Sequence, residues 1–336
     1  MPDLASEFAA ERDHLTSVAY RMLGSRADAE DAVQDAWLRC SAALGDPAER
    51  ARIRDLRAWL TTTVARICLD VLRSARVRRE AYVGQWLPEP VVSRLPGSAA
   101  VAGVIDRVAP GSAGPAAGFA PDPADRAALT DDVGLALLVV LERLTPEQRV
   151  AFVLHDVFGT PFDEIAAVLG ATPAAARQLA SRARRAVAEG EPRHTADLAE
   201  QRRVLSAFLA ATESGDIDGL VAVLAPDVVM VGDGGGVTPA ARKPVTGAVQ
   251  VARFVLGLVR LAAKETDRMA AEPVLVNGAL GLLLEADYAD GQRMRMVMAF
   301  AIEADRITGV FNQINPAKLA RVPALDPATP GWPLQS

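Results

Sequence analysis

The chain has 336 residues, half of them apolar, with a formal net charge of −6, enough for two or three domains of ordinary size. Two cysteines, Cys40 and Cys68, exclude a disulfide framework and a thiolate metal cluster. The acidic average argues by itself against a nucleic-acid partner, but it conceals an asymmetry. Residues 49–80 hold nine arginines against four acids, and residues 173–188 hold four arginines and no acid. Two basic islands in an acidic chain are the footprint expected of phosphate binding. The first ten residues carry acids and no apolar run, and no uninterrupted apolar stretch of about 18 residues occurs. A cytoplasmic protein without a signal peptide or membrane contact is therefore expected.

In chain order, residues 4–83 read as nearly all helical. Helical spacing of Phe8, Leu15, Val18 and Met22 ends at Gly24. Ser25 or Asp28 can cap a second helix over 27–44, whose buried stripe is Val33, Ala36 and Trp37. A polar loop over 45–55 precedes a third long helix over 56–80. Residues 84–127 are rich in Pro, Gly, Ala and Ser and read as a flexible linker, opened by Trp86-Leu87-Pro88-Glu89-Pro90. Residues 128–190 are helical again. Residues 196–320 begin with helices at about 197–213 and 217–224 and a strand at 227–232. A helix over 246–263 follows, and then apolar strands separated by Asn277-Gly278 and Asp290-Gly291, strong hairpin signals. Helices followed by an antiparallel meander predict an α+β cone with a curved antiparallel sheet. A Pro-rich tail, 321–336, has no assigned role.

The segment 144–187 has helix–turn–helix spacing. Thr145 caps a helix with Pro146 at its first position, a short helix over 162–169 ends at Gly170, and Thr172 caps a helix over 173–187. Ala174, Arg177, Gln178, Ser181, Arg182 and Arg185 are its exposed positions. Arginine and glutamine suit guanine and adenine edges, and the others suit phosphate. In the third helix of the first segment, Arg54, Arg57, Arg66, Arg73, Arg76, Arg78 and Arg79 surround Trp59, Leu60, Val64, Ile67 and Leu72. Such a helix can track a nucleic-acid backbone and hold an unstacked base. For either segment, taken alone, an ordinary helical hairpin with a solvated arginine face is the alternative.

Together, AYRMLGSRADAEDAVQDAWLR (19–39) and LRAWLTTTVARICLDVLRSARVRRE (56–80) resemble region 2 of an extracytoplasmic-function (ECF) sigma factor of the sigma-70 family. LTPEQRVAFVLHDVFGTPFDEIAAVLGATPAAARQLASRARRAV (144–187) resembles region 4 of the same family. WLPEP (86–90), DGGG (233–236) and NPAKL (315–319) are similar to signatures of the sigma-J-like subgroup, which carries a C-terminal SnoaL/NTF2-like domain. The resemblance implies region 2 over 4–83, region 4 over 128–190 and a regulatory domain over 196–320. It implies that Asp28, Glu30, Asp31, Gln34, Asp35 and Leu38 bind the β′ clamp helices of core RNA polymerase, with the β flap a further partner. It implies that Arg54, Arg57, Arg66, Arg73 and Arg76 hold the single-stranded −10 element, while the recognition helix reads the double-stranded −35 element. An acidic surface is repelled by DNA but suits a basic protein partner. The insertion near 97–121 and the tail depart from the pattern.

The C-terminal domain lacks an obvious acid–base pair, since no histidine follows His194 and no cysteine follows Cys68. Asp227, Asp233, Tyr288, Arg293 and Arg295 are its polar candidates, and the alternating Met294, Met296 and Met298 read as a core-facing strand. No catalytic residue, metal or cofactor is expected. Interdomain regulation is expected instead from Trp86, Leu87, Pro88, Glu89, Asp233, Gly234, Gly235, Gly236, Asn315, Pro316 and Lys318, with residues 86–90 packing near 233–236 to fix the spacing of the two DNA-reading modules, in place of a separate anti-sigma factor. The alternative is a small-molecule sensor or residual enzyme fused to a DNA-binding regulator.

Overall fold

Caps and glycine stops delimit the helices of the first half. The computed structural model describes residues 3–80, 82, 84–95, 134–190, 196–325, 329 and 331. Helix α1 (Leu4–Leu23) is capped by Asp3, which accepts the Ser6 N–H, and stops at left-handed Gly24. Ser25 then caps α2 (Arg26–Leu44) through the Asp28 N–H. The segment expected as a polar loop contains a short helix, α3 (Pro47–Arg52), because Asp46 accepts the Ala48 N–H and Pro47 occupies the first turn. Helix α4 (Leu56–Glu80) follows. Leu15, Val18, Ala29, Val33, Ala36, Leu60, Val64 and Leu72 are all buried, and each large aliphatic side chain contributes about 1.5–3 kcal/mol on burial.

The second helical group comprises α5 (Leu135–Leu141), α6 (Pro146–Phe152), α7 (Phe162–Leu169) and α8 (Pro173–Gly190). A π-helical turn, Val153–Val157, continues α6. The remainder comprises α9 (Leu198–Ser214), α10 (Ile217–Val223), β2 (Leu224–Asp233), β3 (Val245–Thr246), α11 (Ala248–Glu265), β4 (Thr266–Val276), β5 (Ala279–Tyr288), β6 (Arg293–Glu303) and β7 (Arg306–Gln313).

These strands and β1 (Val92–Arg94) form one sheet in the order β1-β4-β5-β6-β7-β2-β3. It is not wholly antiparallel as expected: β2 runs parallel to β7, with Asp233 opposite Gln313. The chain reaches that parallel register through α11 and the meander rather than through a hairpin. The hairpins turn at Asn277-Gly278 and at Ala304-Asp305, where the residues adopt positive φ. One sheet face packs Leu280, Leu282, Leu284, Met298, Phe300 and Val310 against α9–α11. The opposite face presents Ala270, Glu272, Val274, Leu283, Val297, Ala299 and Phe311, which are equally buried although no helix of that core covers them.

The described chain forms two units. The first gathers α1–α4 and α6–α8; the second gathers β1, α9–α11 and β2–β7. Part of the segment expected as flexible linker, 84–95, is therefore built onto the second unit, because β1 pairs antiparallel with β4, Val92 opposite Val276. Residues 96–127 lie outside the described residues.

Candidate functional site

Helix α8 is positioned by a narrow alanine stripe. Ala176, Ala180, Ala183 and Val187 are buried, so the helix lies close on its neighbours. Thr145 and Gln148 form a reciprocal cap at the start of α6. Gly170 closes α7 in the left-handed region, at φ 63°, and the Thr172 hydroxyl accepts the Ala175 N–H at the start of α8. The opposite face of α8 exposes Ala174, Arg177, Gln178, Ser181, Arg182 and Arg185 together. Arg177 lies 5.4 Å over the Phe162 ring, and Arg184 is paired with Asp156 at 2.7 Å. The outward residues thus form one polar, cationic strip on a rigid support.

The basic helix α4 is partly engaged. Arg54 is exposed. Arg57 contacts His14 Nδ1 at 3.0 Å and Glu11 at 3.5 Å, both on α1. Arg66 donates to the Ala167 carbonyl of α7 at 2.9 Å, and Arg73 donates to Glu147 of α6 at 3.0 Å. The Arg76 side chain lies outside the described residues.

A residue that sequence reasoning missed completes this packing. Arg149 of α6 is 3% exposed and donates to the carbonyls of Leu141 and Met22 and to Glu142. The Met22 carbonyl belongs to the last turn of α1, where carbonyls lack an N–H donor within their own helix, and Arg149 supplies one. Burial pushes the Arg149 pKa down to about 9, still well above neutrality, so the guanidinium remains charged. Phe158, which follows the π-helical turn, takes the Arg21 guanidinium at 5.2 Å over its ring and meets the His14 ring edge-on.

Helix α2 buries Ala29, Ala32, Val33, Ala36 and Cys40. The other side exposes Asp28, Asp31, Gln34 and Asp35 with Glu30 at its margin, and Leu38 among them is 58% exposed. An exposed leucine within an acidic strip has the character of a protein-docking surface.

In the second unit, the side chains around Asp233 converge from distant positions. Its carboxylate is fully buried at the end of β2 and accepts the Leu87 N–H at 2.9 Å, the Tyr82 hydroxyl at 2.6 Å and the Gly235 N–H at 3.0 Å. Lys318 Nζ donates to it at 2.7 Å and to the Leu87 carbonyl at 2.6 Å, with the Trp86 ring 4.0 Å away. Burial alone disfavours the ionised acid. The Lys318 ammonium, the Leu87 N–H and the Tyr82 hydroxyl outweigh it and hold the Asp233 pKa below the usual carboxylate range. Burial, and then the bond to Asp233, push the Tyr82 hydroxyl upward.

Asn315 donates to the Tyr82 oxygen at 3.1 Å, and its side chain would lie 2.5 Å from a Cβ on Gly235, whose φ is 66°. A Cβ on Gly234 would strike the Thr238 carbonyl at 2.0 Å. Glycine is therefore required at both positions by contact, and at Gly235 by conformation as well. Gly236 also adopts a positive φ. Pro88 and Glu89 are buried and Pro316 is exposed. Tyr82 and Gln313 were not singled out in the sequence. Gln313 donates to the Leu87 and Pro88 carbonyls and to Asp233, and only its place two residues before Asn315 hinted at it.

The polar residues considered for chemistry in the cone do not converge. Arg293 pairs with Asp287, Arg295 pairs with Glu285, Asp227 is exposed, and the Tyr288 hydroxyl meets the Met294 sulfur at 3.8 Å. Among the described residues no group of three or more acidic, cysteine or histidine side chains is arranged to hold a metal.

Family models match at two places: sigma-70 region 2 over residues 8–78 and sigma-70 region 4 over residues 134–187. The ECF RNA polymerase sigma factor SigJ of Mycobacterium tuberculosis is 42% identical over 329 residues, covering 95% of this chain and 94% of that protein. The probable ECF RNA polymerase sigma factor SigI of the same species is 34% identical, covering 94% of each chain. The crystal structure of the former superimposes with a TM-score of 0.70 at 41% identity, covering 94% of this chain and 98% of that one. Two helical modules with the spacing of regions 2 and 4, an α+β cone that follows them in the chain, and similarity along nearly the whole length agree. The chain belongs to the extracytoplasmic-function sigma factors of the sigma-70 family and directs transcription initiation.

Proposed function

We propose that α8 reads the double-stranded −35 element, that α4 and the loop before it hold the single-stranded −10 element, and that the acidic face of α2 docks on the β′ clamp helices. Region 4 would also meet the β flap. The observation that carries the DNA assignment is the solvent face of α8, where Arg177, Gln178, Ser181, Arg182 and Arg185 stand together on a helix held by its alanine stripe. Arg66 and Arg73 are engaged by α7 and α6, so regions 2 and 4 must part before α4 can present them to a DNA strand.

The cone acts on this machinery without catalysis. Apart from Asn312 its inner sheet face is lined by apolar side chains, and its charged candidates Arg293 and Arg295 pair with neighbouring strand residues rather than with one another. Its control runs through Tyr82 and residues 84–95, which follow region 2 in the chain and are bound at Asp233 and along β4. Holding that stretch shortens the free tether between the two DNA-reading modules and changes their effective concentration at a promoter. A fused regulator of this kind takes the place of a separate anti-sigma factor.

Run-off transcription with purified core polymerase tests the proposal, comparing the full chain with Asp233→Asn and with a chain ending after Glu189. Promoter-specific transcripts whose yield changes in both variants support it. Equal yields from all three proteins under every condition would refute control by the cone.

A second reading, a small-molecule sensor, draws on one feature. Asn312 Oδ1 is buried on the helix-facing side of the sheet with no hydrogen-bond partner among the described residues. Thermal stabilisation by an apolar hydrogen-bond donor, lost in Asn312→Leu, would favour it.

A further inference from the structure

We propose that Leu319–Leu325, together with Thr329 and Gly331, act as a strap that holds the region 2 linker on the cone, with Arg94 joining the two. The sheet face away from the helices is covered by two irregular segments, the linker and the tail. Leu87 and Val91 of the linker and Leu319, Val322, Leu325 and Thr329 of the tail are all buried.

Pro323, Pro327 and Pro330 interrupt the run of N–H groups that a strand ladder would need. Arginines supply the donors instead. Arg295 donates to the Val322 carbonyl at 2.9 Å, Arg94 to Ala324 at 2.8 Å and Arg268 to Thr329 at 2.7 Å. Glu285, the ion-pair partner of Arg295, accepts the Leu325 N–H, and Gly331 bridges Ala270 of β4.

Arg94 lies on β1, the part of the linker paired with β4, and its guanidinium also lies 3.8 Å from buried Glu272. Linker and tail therefore share both the outer edge of β4 and one guanidinium. Ordering one segment makes the other cheaper to order, and release of either weakens both. The strap concerns the linker's hold on the cone and does not depend on the promoter roles proposed above.

Hydrogen exchange on the full chain tests this with two reciprocal variants. Leu325→Asp changes only the tail, and Arg94→Ala changes only the linker side. Leu325→Asp is expected to speed exchange of the Val91 and Asn277 amides, whose bonds join linker to sheet, by about tenfold or more. Arg94→Ala, at a side chain 35% exposed, is expected to speed exchange at Leu325 by a similar factor. Unchanged amides in α11 distinguish release from unfolding. Should Leu325→Asp unfold the cone, the Arg94→Ala result decides alone. Linker amides that keep full protection in Leu325→Asp, or a Leu325 amide that keeps it in Arg94→Ala, would overturn the proposal.

Discussion

At the scale of single residues, Asp233 and Lys318 show how one buried charge pair gathers separate sequence signatures. Asp233 closes the DGGG turn, Lys318 belongs to NPAKL and Leu87 to WLPEP, and all three meet within 3 Å of one carboxylate or carbonyl. Asp233→Asn removes the negative charge and leaves Lys318, 14% exposed, beside a neutral amide. We expect a loss of roughly 3 kcal/mol in stability of the cone with its linker, read by urea unfolding. The folded pKa of Asp233 is depressed, so its contribution is fully present above the ordinary carboxylate range and is lost as pH falls through the folded value. Exchange at the Leu87 amide should therefore need no correction beyond the intrinsic rate between about pH 5 and 8 and should rise only in stronger acid. A midpoint near pH 6 would contradict the ion pair. Packing of residues 86–90 near 233–236 was expected from the motifs, but the atoms that join them, Asp233 to the Leu87 N–H and Lys318 to the Leu87 carbonyl, were not. Tyr82 and Gln313 carry no local signal, since a tyrosine in a linker and a glutamine at a strand end suit solvent as well as a buried carboxylate.

At the scale of elements, recognition helix and acidic helix make separable predictions. Replacing Gln178 or Arg182 with alanine should cost about 1–3 kcal/mol in discrimination at one base pair, measured as the binding ratio between a promoter and its point variants. Replacing Arg185, if it holds phosphate, should weaken all sequences alike and lower the salt slope by about one. Leu38→Asp on α2 should reduce association with core polymerase at least tenfold or so while leaving DNA affinity of the free protein unchanged. The helices were legible because their caps and stops are local: Ser25, Thr145, Gly170 and Thr172 all act within a turn of themselves. Helix α3 was missed because one Asp-Pro step starts it inside an otherwise polar stretch. The parallel pairing of β2 with β7 was missed because strand partners 80 or more residues apart leave no periodic trace.

At the scale of the whole chain, the arginines named for DNA in region 2 were legible as a basic helix, yet their present partners were not. Glu147 and the Ala167 carbonyl lie far along the chain from Arg73 and Arg66, and nothing in residue spacing reports such a contact. The packing that brings them together turns on Arg149. Arg149→Met keeps the volume but removes the donors to Met22 and Glu142. It is expected to destabilise the union of regions 2 and 4 by roughly 3 kcal/mol and to widen the distance between fluorophores placed on α2 and α8. An unchanged distance distribution would count against a closed state that must open.

The burial of Arg149 also bears on ionic strength. Contacts between arginines and DNA phosphates weaken steeply as salt rises, because bound counterions are released on association. A guanidinium 3% exposed and enclosed by Met22, Leu141 and Glu142 is screened far less. Raising salt therefore lowers the reward for opening and screens the half-exposed Arg73–Glu147 pair, while the buried Arg149 contacts persist. The same rise in ionic strength that would merely weaken a permanently open DNA-binding protein should here also return molecules to the closed union, because less DNA binding is left to hold them open.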